Sequence, residues 1–161
     1  MTFSSPMRKF ILLAHVTTSV SLIGAVASFL LFAIVGLASA DPQIIRASYL
    51  LMNPLAMFLV LPLVVLSLLV GIISSLGTPW GLVRYYWVAA KLLATLFTLI
   101  VLLLQINAIG QLSAIAAERM LTDTDMGLRM RMIIHAGGGL VVLLIILVLS
   151  IYKPRGSTPY A

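Results

Sequence analysis

Two ionisable side chains lie inside long apolar stretches of the chain, His15 in the first stretch and Lys91 in the third. Both stretches start from the same side of the predicted bundle. At about 1.5 Å of rise per helical residue, each side chain lies about 10 Å inward. Ionisable groups at such depth are rare and by default suggest a functional site. We therefore expect the chemistry of this protein near these two residues.

Lys91 has no acidic partner on its own side of the bundle. All four acids of the chain fall on the opposite side, at Asp41, Glu118, Asp123 and Asp125. The long Lys91 side chain can carry its ammonium to a lipid phosphate at the membrane surface. Otherwise the ammonium can bind an anionic ligand. Arg84, Trp87 and Lys91 are spaced i, i+3, i+7 and therefore share one helical face.

A haem would use all of these groups together. Imidazole is a common axial ligand of haem iron, and Arg84 and Lys91 would pair with the two propionates. Trp87 would lie against the ring, between helices, where cofactors of helical bundles usually bind. The residues therefore suggest haem b with His15 as iron ligand. The alternative for His15 is a hydrogen bond to a neighbouring helix.

Methionines and a second histidine collect on the opposite side, where thioether sulfur suits Cu(I) and imidazole suits either copper state. An alternative function is therefore copper binding or passage, through Met126, Met130, Met132 and His135. Methionine is also a flexible filler of cores, and His135 could simply bond a polar neighbour such as Asn107. A third hypothesis is a partner or assembly subunit without a cofactor.

The composition indicates an integral membrane protein with a single membrane domain. Of 161 residues, 62% are hydrophobic and 9% charged, against about 25% charged in soluble domains. Four apolar stretches exceed the roughly 20 residues that span a bilayer core. They predict an all-α, four-transmembrane-helix bundle with spans near 10–37, 52–76, 85–109 and 132–152 and a disordered tail at 153–161.

Charge and cysteine content exclude further classes. The net charge of +6 indicates membrane orientation and contact with anionic lipid rather than nucleic-acid binding. The absence of cysteine excludes disulfides and thiolate sites. Lysines and arginines favour one side by five to four, which predicts cytoplasmic N and C termini; they are Arg8, Lys9, Arg84, Lys153 and Arg155 against Arg46, Arg119, Arg129 and Arg131.

Small residues recur at helix-packing spacing, most densely at Gly137, Gly138 and Gly139. Close helix packing is one explanation. The other is that the missing side chains leave a slot for a flat ligand. A bundle of this size would need to form a homo-oligomer, or join a membrane partner, to make a pore.

The stretch from Ser75 to Lys91, SLGTPWGLVRYYWVAAK, resembles the signature of an uncharacterised family of bacterial four-helix integral membrane proteins. More distantly it resembles the superfamily of CopD-type copper-resistance proteins and HemJ-type protoporphyrinogen oxidases. The resemblance implies a multi-pass protein of the bacterial inner membrane, with His15 binding haem b and Lys91 functionally important. HemJ-type proteins carry a further His in helix three, where this chain has Gln105 and Asn107, which argues against the oxidase activity more than against the cofactor.

Overall fold

A computed structural model describes residues 3–78, 81–154 and 156–158. Its four long helices confirm the predicted all-α four-helix bundle, and each is long and apolar enough to cross a membrane. The protein is therefore a multi-pass membrane protein. The helices are α1 (Ser5–Ala38), α2 (Pro42–Leu76), α3 (Tyr86–Glu118) and α4 (Met126–Tyr152).

The helices extend beyond the apolar runs that predicted them. α3 continues to Glu118 and α4 already starts at Met126. The segment between the third and fourth predicted spans therefore consists largely of the ends of these two helices, with a single 3-10 turn at Asp123–Asp125. The reason is that hydropathy marks only the part of a helix in the bilayer core. Backbone hydrogen bonding continues into the polar interface.

The four helices form a square in which α1 and α3 lie on one diagonal. α1 packs against α2 and α4, and α3 packs against the same two helices. We call the end with both chain termini and the α2–α3 loop the termini end, and the other the far end. Buried core side chains in α1 begin only at Leu22 and continue towards the far end. The termini end of the bundle is therefore the more loosely packed.

α2 contains a π-helical segment, Ala56–Val60, between two prolines. There the Leu61 amide donates to the Ala56 carbonyl, one residue further back than in an α-helix. Pro54 has no N–H to offer the Leu50 carbonyl. The Ser113 hydroxyl of α3 donates to that carbonyl instead, at 3.4 Å, as expected where lipid cannot satisfy a freed backbone group.

Arg129 joins three helices at the far end. It is 8% exposed, its Nε donates to the Tyr49 hydroxyl at 3.0 Å, and a terminal nitrogen donates to the Gly36 carbonyl at 2.8 Å. Gly36 lies in the last turn of α1, whose free carbonyls form the negative end of the helix dipole. The guanidinium is thus compensated by carbonyls rather than by a carboxylate.

An ion pair closes the turn between α3 and α4. Arg119 donates two hydrogen bonds to the Asp125 carboxylate, at 2.7 and 2.8 Å. This guanidinium, together with the Thr122 backbone amide, holds the pKa of the Asp125 carboxyl well below its usual range. Arg46 of α2 similarly donates to the Ala117 carbonyl in the last turn of α3, at 2.6 Å.

At the termini end, part of the C-terminal tail pairs with the α2–α3 loop. The Thr158 amide donates to the Arg84 carbonyl at 2.9 Å, and Ser157 forms an isolated antiparallel bridge with Tyr85. The sequence predicts disorder for the whole tail, 153–161. Residues 157–158 are ordered instead, because the backbone of the loop provides hydrogen-bond partners for them. Arg155 of the orientation count and Pro79 and Trp80 of the signature stretch lie outside the described residues.

Candidate functional site

His15 and Lys91 line the same cavity, as their depth and helical faces predict. This termini-end cavity has a volume of about 100 Å³. His15 comes from α1 and Lys91 from the diagonal helix α3, so the two side chains face each other across the bundle axis. α2 and α4 supply the remaining walls, including Ser67, Gly71 and Ser150.

The His15 imidazole is wedged against α2 with one nitrogen unsatisfied. A Cβ on Gly71 would lie 3.0 Å from His15 Cε1, so the missing side chain of Gly71 makes room for the ring. Within the described part of the chain, His15 Nδ1 is buried and has no hydrogen-bond partner. A buried polar atom without a partner is costly and calls for an explanation such as a bound ligand or ion. Next to it, the Ser19 and Ser67 hydroxyls bond each other at 2.9 Å.

Lys91 is held by two neighbours, neither of them an acid. Its Nζ donates to the Ser150 hydroxyl of α4 at 3.1 Å and lies 4.6 Å from the centre of the Trp87 ring. A hydroxyl and an aromatic face attract an ammonium but do not neutralise it. Because every acid of the chain lies at the far end, the positive charge stays uncompensated by side chains. The site is therefore suited to an anionic group.

The other two predicted site residues do not line the cavity. Trp87 is buried, but it packs under the Lys91 ammonium rather than on the cavity wall. The Arg84 side chain is exposed and does not line the cavity. The helical face expected for Arg84, Trp87 and Lys91 does not include Arg84, because α3 begins only at Tyr86 and Arg84 lies in the loop before it. Of the four residues, the structure thus brings together His15 and Lys91 and places Arg84 at the surface.

A larger cavity lies between the same four helices, nearer the far end. This central cavity has a volume of about 430 Å³ and almost entirely apolar walls. Leu22 lines both cavities, so they are neighbours along the bundle axis. The polar side chains on its wall are Thr98, Gln105 and His135. His15 and His135 thus line different cavities and are not placed to ligate one haem together.

Gln105 and His135 are oriented by Arg131. The Arg131 Nε donates to Gln105 Oε1 at 2.6 Å, which identifies the oxygen of that amide. The NH₂ group of Gln105 makes no hydrogen bond to the part of the chain that the structure describes. His135 Nδ1 lies 2.8 Å from the Arg131 carbonyl. A carbonyl can only accept, so Nδ1 carries a proton, and in the neutral ring Nε2 then presents a lone pair. The expected bond from His135 to Asn107 is replaced by this bond within α4.

The four residues of the copper hypothesis fall on different faces of α4. Met132 is buried and lines the central cavity with His135, whereas Met126 and Met130 are exposed. In the described ranges, no group of three or more histidine, aspartate or glutamate side chains is arranged to hold a metal ion.

Sequence reasoning missed Ser150 as the partner of Lys91, because a lone serine near the end of an apolar helix carries no distinctive signal. Gln105 was noted only as a departure from a family pattern. Its burial could have been suspected from an amide in the middle of a span, since a polar side chain there needs a partner inside the bundle.

Comparisons with protein-family models, with curated proteins and with solved structures find no match. The assignment of a function therefore rests on the geometry of this chain's own residues.

Proposed function

We propose that this protein binds haem b in the termini-end half of the bundle and has a redox or haem-handling role. One observation carries the proposal: in one cavity between helices, an imidazole with an unpaired buried nitrogen faces an ammonium that no carboxylate of the described residues neutralises. A metal ion on the imidazole and an anionic group on the ammonium would satisfy both. We further propose that the protein resides in a bacterial inner membrane with cytoplasmic termini.

The donor set supports this ligand. His15 would hold the iron, since imidazole is a common axial ligand, and Lys91 would exchange its hydroxyl partner Ser150 for a propionate. A charge-assisted bond of this kind is roughly twice as strong as a neutral one. When bound, haem iron supplies one-electron redox chemistry, and the surrounding apolar side chains keep water from the site.

The volume of the site sets a condition on binding. A cavity of about 100 Å³ is smaller than the roughly 300–1,000 Å³ that holds a drug-sized ligand, so the helices must separate to admit a macrocycle. The loosely packed termini end is where the bundle can open at least cost, because core side chains of α1 are buried only from Leu22 onwards. The proposal therefore includes a widening of the gap between α1 and α3.

The test is the visible spectrum of protein purified from haem-replete cells. We expect a Soret band that is lost in His15→Ala and retained in His135→Ala, a matched histidine variant in the other cavity. Lys91→Met should weaken haem retention while leaving the band position unchanged, since it removes a propionate partner and no iron ligand. A colourless, fully folded wild-type preparation, or a band that survives His15→Ala unaltered, would refute the proposal.

A further inference from the structure

We propose that the central cavity binds the ring of a quinone or its quinol, a planar oxygen-bearing molecule with an apolar tail that enters from the bilayer. The proposal is independent of haem binding, because neither His15 nor Lys91 lines this cavity.

The size and position of the cavity suit such a ligand. Its volume of about 430 Å³ lies within the usual range of about 300–1,000 Å³ for small-molecule sites. Three of its lining side chains, Phe97, Leu104 and Ile134, are among the exposed apolar residues of α3 and α4. In a membrane protein such residues face lipid, so the cavity has a lateral route for a tail between these two helices.

The glycines of α4 leave open space on this side. Gly138 and Gly139 line the cavity, and a Cβ built at either position meets no atom within 4 Å. Close helix packing would have placed a neighbour there, as it does at Gly36, where an added Cβ would lie 2.7 Å from the Tyr49 ring. The alternative raised by the sequence, a slot for a flat ligand, is the one that fits this geometry.

A half-paired amide on the cavity wall points to an oxygen atom on the ligand. The Gln105 residue is 7% exposed and lines the cavity. Its oxygen accepts a hydrogen bond from Arg131, whereas its NH₂ group donates none to the described residues. That nitrogen is not fully enclosed by protein, since His15 Nδ1 is the one buried side-chain atom without a partner in the described residues. The donor is therefore accessible to a ligand carbonyl in the cavity.

His135 adds the complementary half of the recognition. Its Nε2 lone pair accepts from a hydroxyl, whereas the amide of Gln105 donates to a carbonyl. A quinone presents carbonyl oxygens and its quinol presents hydroxyl groups, so one donor and one acceptor on the wall serve both forms. An acyl chain would use neither group.

The π-helical segment of α2 borders the same cavity. Ala56 and Val60, its first and last residues, lie on the wall. π-bulges occur frequently at functional sites, and this one lines the same cavity as Gln105, Gly138 and Gly139. It is a second, independent feature that marks the cavity.

The experiment is a titration of the protein in phosphatidylcholine nanodiscs with decylubiquinone and with its quinol, followed by methyl NMR of [methyl-¹³C]methionine. Met132 is 2% exposed and lines the cavity, so its signal reports on an occupant. We expect a saturable shift of the Met132 signal with both forms. Gly139→Leu should abolish the shift by filling the cavity. Gly24→Leu, equally unobstructed but outside the cavity, should leave it unchanged.

A second variant tests the polar contact separately. Gln105→Leu keeps the bulk of the side chain and removes the donor, and we expect binding of the quinone to weaken about tenfold. The proposal fails if no shift saturates, if Gly139→Leu binds like the wild type, or if Gln105→Leu leaves the affinity unchanged. It also fails if decane, which has no ring, shifts the Met132 signal as strongly, because the cavity would then be an acyl-chain site. A failed haem spectrum would not bear on any of these outcomes.

Discussion

Replacing Gly36 by alanine should destabilise the bundle, although alanine is the better helix former. The added Cβ would lie 2.7 and 2.9 Å from two carbons of the Tyr49 ring. The ring has no room to retreat, because Tyr49 is fully buried and its hydroxyl accepts from Arg129. Overpacking of this kind costs about 1–3 kcal/mol.

Two further contributions determine the net change in the free energy of unfolding of Gly36→Ala. Alanine gains up to about 1 kcal/mol over glycine in helix propensity. A shift of α1 away from Tyr49 also strains the bond from Arg129 to the Gly36 carbonyl, and hydrogen bonds to charged groups contribute about 1.5–3 kcal/mol. We therefore expect Gly36→Ala to lower the free energy of unfolding by about 1–3 kcal/mol.

Gly110→Ala is the matched control. A Cβ at Gly110 in α3 meets nothing within 4 Å, so this variant should be unchanged or stabilised by up to about 1 kcal/mol. The assay is unfolding in mixed micelles with increasing SDS, followed by far-ultraviolet circular dichroism. If Gly36→Ala proved as stable as Gly110→Ala, then the tight contact between α1 and Tyr49 would not exist and the description of the far end would be wrong.

Two other predictions concern the far-end loop and α2. Asp125 has a lowered pKa in the folded protein, so its contribution to stability is present above its ordinary pKa of about 3.9 and is lost as the pH falls below it. Asp125→Asn should therefore lower the free energy of unfolding at pH 7 and reduce its dependence on pH in the acid range. Asp123→Asn, which changes an exposed carboxylate, should do neither. If the two variants showed the same dependence of stability on pH, this reasoning would be contradicted. Ser113→Ala should cost about 0.6 kcal/mol by leaving the Leu50 carbonyl unpaired. The cost should disappear in a Pro54→Ala background, which restores the missing N–H; equal costs in both backgrounds, from thermal unfolding curves, would exclude that role.

The amino-acid sequence predicted the number and type of the helices, and also the meeting of His15 and Lys91. Both follow from short-range rules: apolar length gives a span, and rise per residue gives depth. It did not predict that α3 begins only at Tyr86, which leaves Arg84 in the exposed loop before the helix, or that Ser150 bonds Lys91. The bond from Lys91 to Ser150 depends on how each helix is rotated about its own axis relative to its neighbours. The packing of all four helices determines that rotation, and no single helix reveals it.

Arg129 illustrates the same limit at the far end. Its position among loop arginines suggested only a contribution to membrane orientation. Its actual partners, the Tyr49 hydroxyl and the last carbonyls of α1, come from helices 80 and 93 residues away in the chain. Such contacts become visible only when the end of one helix is placed against the side of another.

The π-helical segment changes the direction in which the side chains of one half of α2 point relative to those of the other half. One residue of an α-helix corresponds to about 100° of rotation. Deleting any one residue of 56–60 would restore regular hydrogen bonding yet turn one half of the helix against the other by about that angle. With Tyr49 anchored at the far end, Gly71 would swing away and a bulky side chain would take its place against the His15 ring. The space for the imidazole thus depends on an extra residue about three to four turns away along α2, and this irregularity aligns the two halves of the helix with their different neighbours.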